Sequence, residues 1–357
     1  MQNNMGTGKR LILWLLIWTF VLPASLSAQI GGDRVFSFLH LSPSARITGL
    51  GTIHPAVIDD DPMFAWQNPA ILNPQTHQSI HFNHSFFPAG IQHGSAMYAH
   101  SLKDSSWHLG AGVQYMNYGD FTMTDEGGVE MGTFDATDLA FIFSASRQVH
   151  KNYRIGANIK YVNSHLESYR ASAILVDLGV HYQLPERRIN VSLTAKNIGF
   201  FLSRFSEFDQ DYYLPFDLVI GFSKRLEHLP FRYGISFHHL YRWNVSYDDP
   251  NRENNSLLPG ALDPDQKSPT AIDNFFRHIN FNGEFLLGKH ENLRLRIAYS
   301  HLLRQELKLS NVQTLAGFSF GVGFKISRFR IDYGRSVYHL AGGIHHLSIS
   351  TRLSEFF

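Results

Sequence analysis

Cysteine is absent from this 357-residue chain. That excludes disulfide staples, thiolate zinc sites, iron–sulfur clusters and a lipidated N-terminal Cys. Charge is sparse: Asp, Glu, Lys and Arg make up 17% of the residues, and 31 basic side chains stand against 30 acidic ones. So even a balance argues against a nucleic-acid partner, which needs an electropositive surface. Long apolar runs are missing too. The run from Leu11 to Leu22 has twelve residues and rises only about 18 Å, short of a ~30 Å hydrocarbon core. It follows Lys9 and Arg10 and precedes PASLSAQ, so residues 1–28 read as a secretory signal peptide cleaved after Ala28. GTGK at Gly6–Lys9 lacks the first glycine of a phosphate loop and lies in the signal, so it is discarded as a nucleotide site.

What the chain has is aromatics, 14% of the residues with 29 Phe and 15 Tyr, and a period of two. In YRIGANIKYVNS (153–164), Tyr153, Ile155, Ala157, Ile159 and Tyr161 alternate with Arg154, Gly156, Asn158 and Lys160. Alternation of this kind marks a strand with two unlike faces. WHLGAGVQY (107–115), ILVDLGVHY (174–182) and INVSLTAK (189–196) repeat it. Fourteen such strands are predicted, near 79–87, 94–101, 106–118, 136–147, 153–164, 172–183, 189–197, 216–225, 231–241, 277–286, 293–301, 316–326, 328–334 and 345–354. Many approach the 9–11 residues of a tilted membrane-spanning strand, longer than the usual 5–6 of a soluble sheet.

Connections after even-numbered strands are short (KDSS, HKN, PERR, EHLP, GKHEN and a turn at Ser327). Those after most odd-numbered strands read as long, at 120–135, 198–214 and 242–277. This sorting predicts an all-β fold: a transmembrane outer-membrane β-barrel of about fourteen antiparallel strands, residues 79–357, with both termini in the periplasm. Lipid then solvates the Ile155/Ile159 face, the tyrosines sit at the interfaces, and Arg154, Lys160, Asp177, Lys196, Arg294, Arg296 and Asp332 face a polar lumen. A polar lumen position such as Lys160 is expected to tolerate substitution.

Residues 29–78 do not alternate. They form either a periplasmic tail or a plug folded into the lumen. A wide barrel needs filling, and an inward face of Gly317, Ser319, Gly321 and Gly323 on the twelfth strand leaves room for a close neighbour, which favours the plug. The pattern QIGG…F-x-FL-x-L-x-x-SAR-x-x-x-LG (29–51), then Asp59-Asp60-Asp61-Pro62 and Asn68-Pro69-Ala70, resembles the PorQ family of outer-membrane proteins. NYGDF (117–121), HLESY (165–169), AKNIG (195–199) and LPFR (229–232) extend the resemblance along the mature chain. This family belongs to the type IX secretion system of Bacteroidota and is related to PorV and to FadL-like barrels. The resemblance implies a FadL-like barrel with Asp60, Asp61, Pro62, Asn68, Pro69 and Ala70 in its plug motif. It implies a role in the attachment complex, holding a PorZ-like surface protein beside PorU- and PorV-like proteins in contact with outer-membrane lipid and lipopolysaccharide. Thr52 departs from it, standing where a second glycine is expected after Gly51.

The chain carries no G-x-S-x-G elbow, because its one match, Gly317 to Gly321, lies on an alternating strand, and it carries no H-E-x-x-H motif; it reads as a non-enzyme. No cofactor or metal is expected. His81 and His84 point to opposite faces of one strand, and Asp59, Asp60 and Asp61 lack the spacing of a calcium loop, so that they serve as caps or turn formers. Trp243, Tyr247, Leu257, Leu258, Phe275 and Phe276, on the 242–276 loop, are candidate anchors for a partner; a solvated loop with incidental aromatics is the bland alternative. Transport of a hydrophobic ligand, as in fatty-acid transporters, is the functional alternative to docking.

Overall fold

The computed structural model describes residues 35–103, 106–206, 212–245, 270–307, 315–339 and 342–356. The signal peptide expected at 1–28 lies outside them. Fourteen strands among the described residues close into one antiparallel barrel, each paired with its neighbours in sequence and β1 with β14. They are β1 Ser79–Phe86, β2 Gln92–Ser101, β3 Trp107–Thr124, β4 Glu130–His150, β5 Tyr153–Leu166, β6 Tyr169–Leu184 and β7 Ile189–Ser203. β8 Asp217–Arg225, β9 Phe231–Phe237, β10 Ile279–Leu287, β11 Leu293–Ser300, β12 Phe318–Ile326, β13 Phe329–His339 and β14 Gly342–Arg352 complete it. No helix among the described residues is long and apolar enough to cross a membrane. Closure satisfies the backbone and leaves no edge facing hydrocarbon.

The two faces sort as the alternation requires. Ile159 is 57% exposed on the outside while Lys160, the next residue, is 3% exposed. Ile159 pairs with Phe143 on β4 and Val176 on β6, so one apolar row runs across three strands. Tyr153 and Tyr161 end this belt, about 27 Å apart along the strand, which at a tilt of roughly 35–45° places them about 20 Å apart along the membrane normal, within an apolar band of about 25 Å. Tyr153 meets Tyr182 at 4.7 Å between rings, and Phe231 meets Phe285 at 4.6 Å. These pairs form an aromatic girdle near the short turns.

The loop sorting is weaker than the sequence implied. Only two residues separate β5 from β6 and two separate β13 from β14, and of residues 120–135 only 125–129 lie between strands. Instead β3 and β4 extend into a two-stranded ribbon in which Asp120 to Thr124 pair only with β4. Phe121 and Phe134 stack at 5.2 Å between rings, and the Asp125 carboxylate accepts from Gly127 N and Val129 N at 2.9 and 2.8 Å to fold the tip. Residues 198–203, expected in a loop, belong to β7. The described long connections are β7–β8, β9–β10 and β11–β12, all at one end.

Candidate functional site

Residues 35–78 pack against inward side chains around the barrel. Helix α1 (Ala45–Gly49) starts at Ser44, whose side chain accepts from Ile47 N. It ends in a paired closure: Gly51 N donates to Thr48 O and Thr52 N to Ile47 O. Both residues have left-handed backbones, Gly51 at φ 83° and Thr52 at φ 73°, so the position where a second glycine was expected is one that strains a threonine. Gly49 lies against Gly321 of β12, where a Cβ on Gly49 would come within 2.9 Å of the Gly321 Cα. Gly317, expected on the same inward face, falls before β12 begins.

The Asn68-Pro69-Ala70 motif has a site of its own. Asn68 Oδ1 accepts from Ala70 N at 3.0 Å, and its Nδ2 donates to Pro55 O and Val180 O, both at 3.3 Å. Gly156 of β5 and Gly179 of β6 face each other across the strands. A Cβ on Gly156 would meet Ala70 N at 2.5 Å, and one on Gly179 would meet Asn68 Oδ1 at 2.0 Å. The cross-strand glycine pair is the seat for the turn. Elsewhere Ser348 Oγ accepts from Ala45 N at 2.9 Å, Gln114 Nε2 donates to Phe38 O at 3.1 Å, and Ser223 Oγ donates to Ala56 O at 2.7 Å.

At the centre lies an ion network. Arg46 of α1 is fully buried. Its Nη2 lies 2.6 Å from Asp59 Oδ2, its Nε 3.2 Å from Glu284 Oε1 on β10, and its Nη1 3.4 Å from Asp61 Oδ2. Glu284 also pairs with Arg232 of β9 and, at 2.8 Å, with Arg296 of β11, which reaches Asp332 of β13 at 2.7 Å. Burial alone would push the Asp59 carboxyl up, but Arg46 and Arg232 hold it well below the usual carboxylate range. Burial likewise opposes the Arg46 charge, yet Asp59 and Glu284 hold it well above its ordinary value. His54, buried and facing Arg232, is pushed down to about 3.

The acidic triplet therefore does more than cap. Asp61 does accept from Met63 N at 3.1 Å, ahead of the 3₁₀ turn that opens at Pro62. Asp59 and Asp60, read as turn formers, instead bind lumen arginines: Asp60 meets Arg330 at 3.0 Å and Arg352 at 3.2 Å. A second cluster is tied to the AKNIG stretch. Lys160 Nζ lies 2.7 Å from Asp177 Oδ2 and donates to Asn197 Oδ1 at 2.7 Å, while Asn197 N donates to Asp177 Oδ1 at 2.8 Å. Lys160 is thus a partner of a buried carboxylate, and the expectation that it tolerates substitution is corrected.

The candidate anchors divide. Trp243 is 59% exposed and stacks on His278 at 5.8 Å; its carbonyl accepts from Asn274 Nδ2 at 2.6 Å. Phe275 and Phe276 lie on helix α2 (Ala271–Arg277), both exposed, 5.8 Å apart and edge to face. These three aromatics gather at the long-loop end. Tyr247, Leu257 and Leu258 lie outside the described residues. Sequence reasoning missed Arg46 and Glu284, which are 238 residues apart; the only signal was an unpaired arginine in an apolar segment and a glutamate on an inward face.

No protein-family model and no curated protein matches the chain. Solved structures match it in fold. CymD, a monoaromatic hydrocarbon channel, is similar at a TM-score of 0.50 and 14% identity, with 88% of this chain and 98% of CymD covered. The toluene transporter TodX of Pseudomonas putida (TM-score 0.49, 11% identity, 87% and 96% covered) and a FadL homologue of Pseudomonas aeruginosa (0.47, 10%, 87% and 98%) also align. At these identities the likeness is one of fold: an outer-membrane barrel of fourteen antiparallel strands.

Proposed function

We propose that the protein is an outer-membrane barrel closed by its own N-terminal segment, serving as a docking platform for a surface protein. The observation that carries this reading is the Arg46–Glu284–Arg296–Asp332 network, which ties residues 35–78 to the wall through buried charge. Pulling such a segment out leaves uncompensated buried charges on both sides, which is strongly unfavourable. On this reading residues 1–28 are a cleaved signal peptide, 29–78 the plug and 79–357 the barrel. The termini and short turns face the periplasm. Trp243, Phe275 and Phe276, with Tyr247, Leu257 and Leu258 of the same loop, hold the partner: a PorZ-like protein, and through it PorU- and PorV-like proteins of type IX secretion, beside lipopolysaccharide. A specific contact needs about 800 Å² per partner, which tight turns do not offer.

A second reading is transport of a hydrophobic small molecule. The likeness to CymD supports it better than it supports docking, although the charged interior does not suit a hydrocarbon path. One experiment separates them. Replacing residues 248–270 by a Gly-Ser turn should leave the barrel inserted, release the surface partner from cells and cause unprocessed cargo to build up. Retention of the partner together with loss of monoaromatic hydrocarbon uptake would instead establish the transport reading.

A further inference from the structure

The short-turn end of the barrel holds a cavity of about 680 Å³ between Asp59–Asp60 and the wall. Six arginines (Arg188, Arg225, Arg232, Arg294, Arg330 and Arg352) and Lys325 line it, against three carboxylates, Asp59, Asp60 and Glu291. Those carboxylates are shared. Asp60 is approached by Arg330 at 3.0 Å, Arg352 at 3.2 Å and Arg294 at 3.6 Å, and Glu291 by Arg225 at 2.6 Å and Arg294 at 3.4 Å. Lys325 turns to Glu355 at 3.2 Å. Arg188 has no ion pair among the described residues; its Nη1 donates to Leu226 O at 3.3 Å.

Several guanidinium nitrogens in the wall are left over. Arg294 is 4% exposed, yet its Nε and Nη1 have no hydrogen-bond acceptor among the described residues, and the same holds for the Nε atoms of Arg225 and Arg232. Donors withheld from water without an acceptor are costly. The lining carries seven cations against three carboxylates; Glu284 also pairs with Arg232 and Glu355 with Lys325, so two cations remain in surplus.

We propose that this vestibule binds an anion carrying a phosphate group. A phosphate monoester brings about −1.5 to −2 charges at neutral pH, which matches the surplus. The arginine fork suits phosphate oxygens in two-point contacts. The volume lies within the ~300–1,000 Å³ typical of small-molecule sites. A single carboxylate would leave half of the charge unmatched, and a hydrocarbon would leave all of it. The phosphate has two possible sources, a lipid headgroup or a soluble phosphate ester.

The test is calorimetric titration of the full chain, refolded in detergent, with inorganic phosphate as the probe. Saturable binding is expected, at least tenfold tighter than that of acetate. It should weaken at least tenfold in Arg188→Gln/Arg225→Gln and stay unchanged in Lys289→Gln, a turn residue outside the cavity. Should the double variant fail to fold, Arg188→Gln alone is expected to weaken binding threefold or more, because Arg188 anchors no carboxylate. A micelle-borne lipid with a headgroup phosphate that binds tighter than inorganic phosphate identifies the lipid as source; equal or weaker binding identifies a soluble ester. The proposal is overturned by the absence of saturable phosphate binding, by binding indifferent to the arginine variants, or by a hexaglutamate peptide that binds more tightly than inorganic phosphate.

Discussion

At the scale of single residues, the structure turns on Arg46. Its guanidinium serves Asp59, Asp61 and Glu284 at once. Arg46→Met should lower unfolding stability by about 3–5 kcal/mol, the range for breaking a buried ion pair, measured by urea unfolding of the refolded protein; a loss under about 1 kcal/mol would contradict the network's role. Lys160→Ser should cost about 3 kcal/mol by the same argument, since Asp177 is fully buried. Thr52→Gly should gain about 1 kcal/mol by relieving a β-branched residue of its left-handed backbone. A neutral or destabilising result would show that the Thr52 side chain contributes more than its strain costs.

Acidity acts through His54 and Asp59. The folded-state pKa of His54 is depressed to about 3, below the ordinary value of about 6.5, so the unfolded chain takes up the proton first. The stabilisation it provides is whole above about pH 6.5 and is lost as pH falls from there toward 3. Asp59 is also depressed, and its contribution is whole above about pH 3.9 and erodes only below that. Wild type should therefore lose more stability than His54→Asn between pH 7 and 4.5, and equal slopes would exclude His54 as a titrating group.

At the scale of elements, what was legible in the sequence is what faces lipid. The strands with steady alternation, such as β5, β8 and β11, fall within a few residues of their predicted bounds. The β3–β4 ribbon was missed because beyond Asn117 its side chains no longer divide between lipid and lumen, and a period of two carries no signal when both faces meet water. The plug contacts were illegible for another reason. They join residues far apart in sequence through shape, as Gly156 and Gly179 do for Asn68-Pro69-Ala70, and no local pattern announces such a fit. Gly334→Val tests one of these seats: its Cβ position lies 2.2 Å from Ala45 O of α1, so the helix should be displaced. In this cysteine-free background, an added Ile47→Cys should then react with a maleimide that leaves it untouched beside Gly334. Equal labelling would mean that α1 does not depend on that seat.

At the scale of the whole molecule, a lipid-facing exterior and a charged interior meet in a wall one residue thick, and residues 35–78 occupy the interior. The central claim is that this occupancy is permanent and the barrel does not conduct. Current across a planar bilayer containing the purified protein tests it most directly. The account predicts no steady open-pore conductance from wild type, and ion-sized currents once Gly334→Val and Arg46→Met together loosen the plug. A steady ohmic current from the wild-type protein would contradict it.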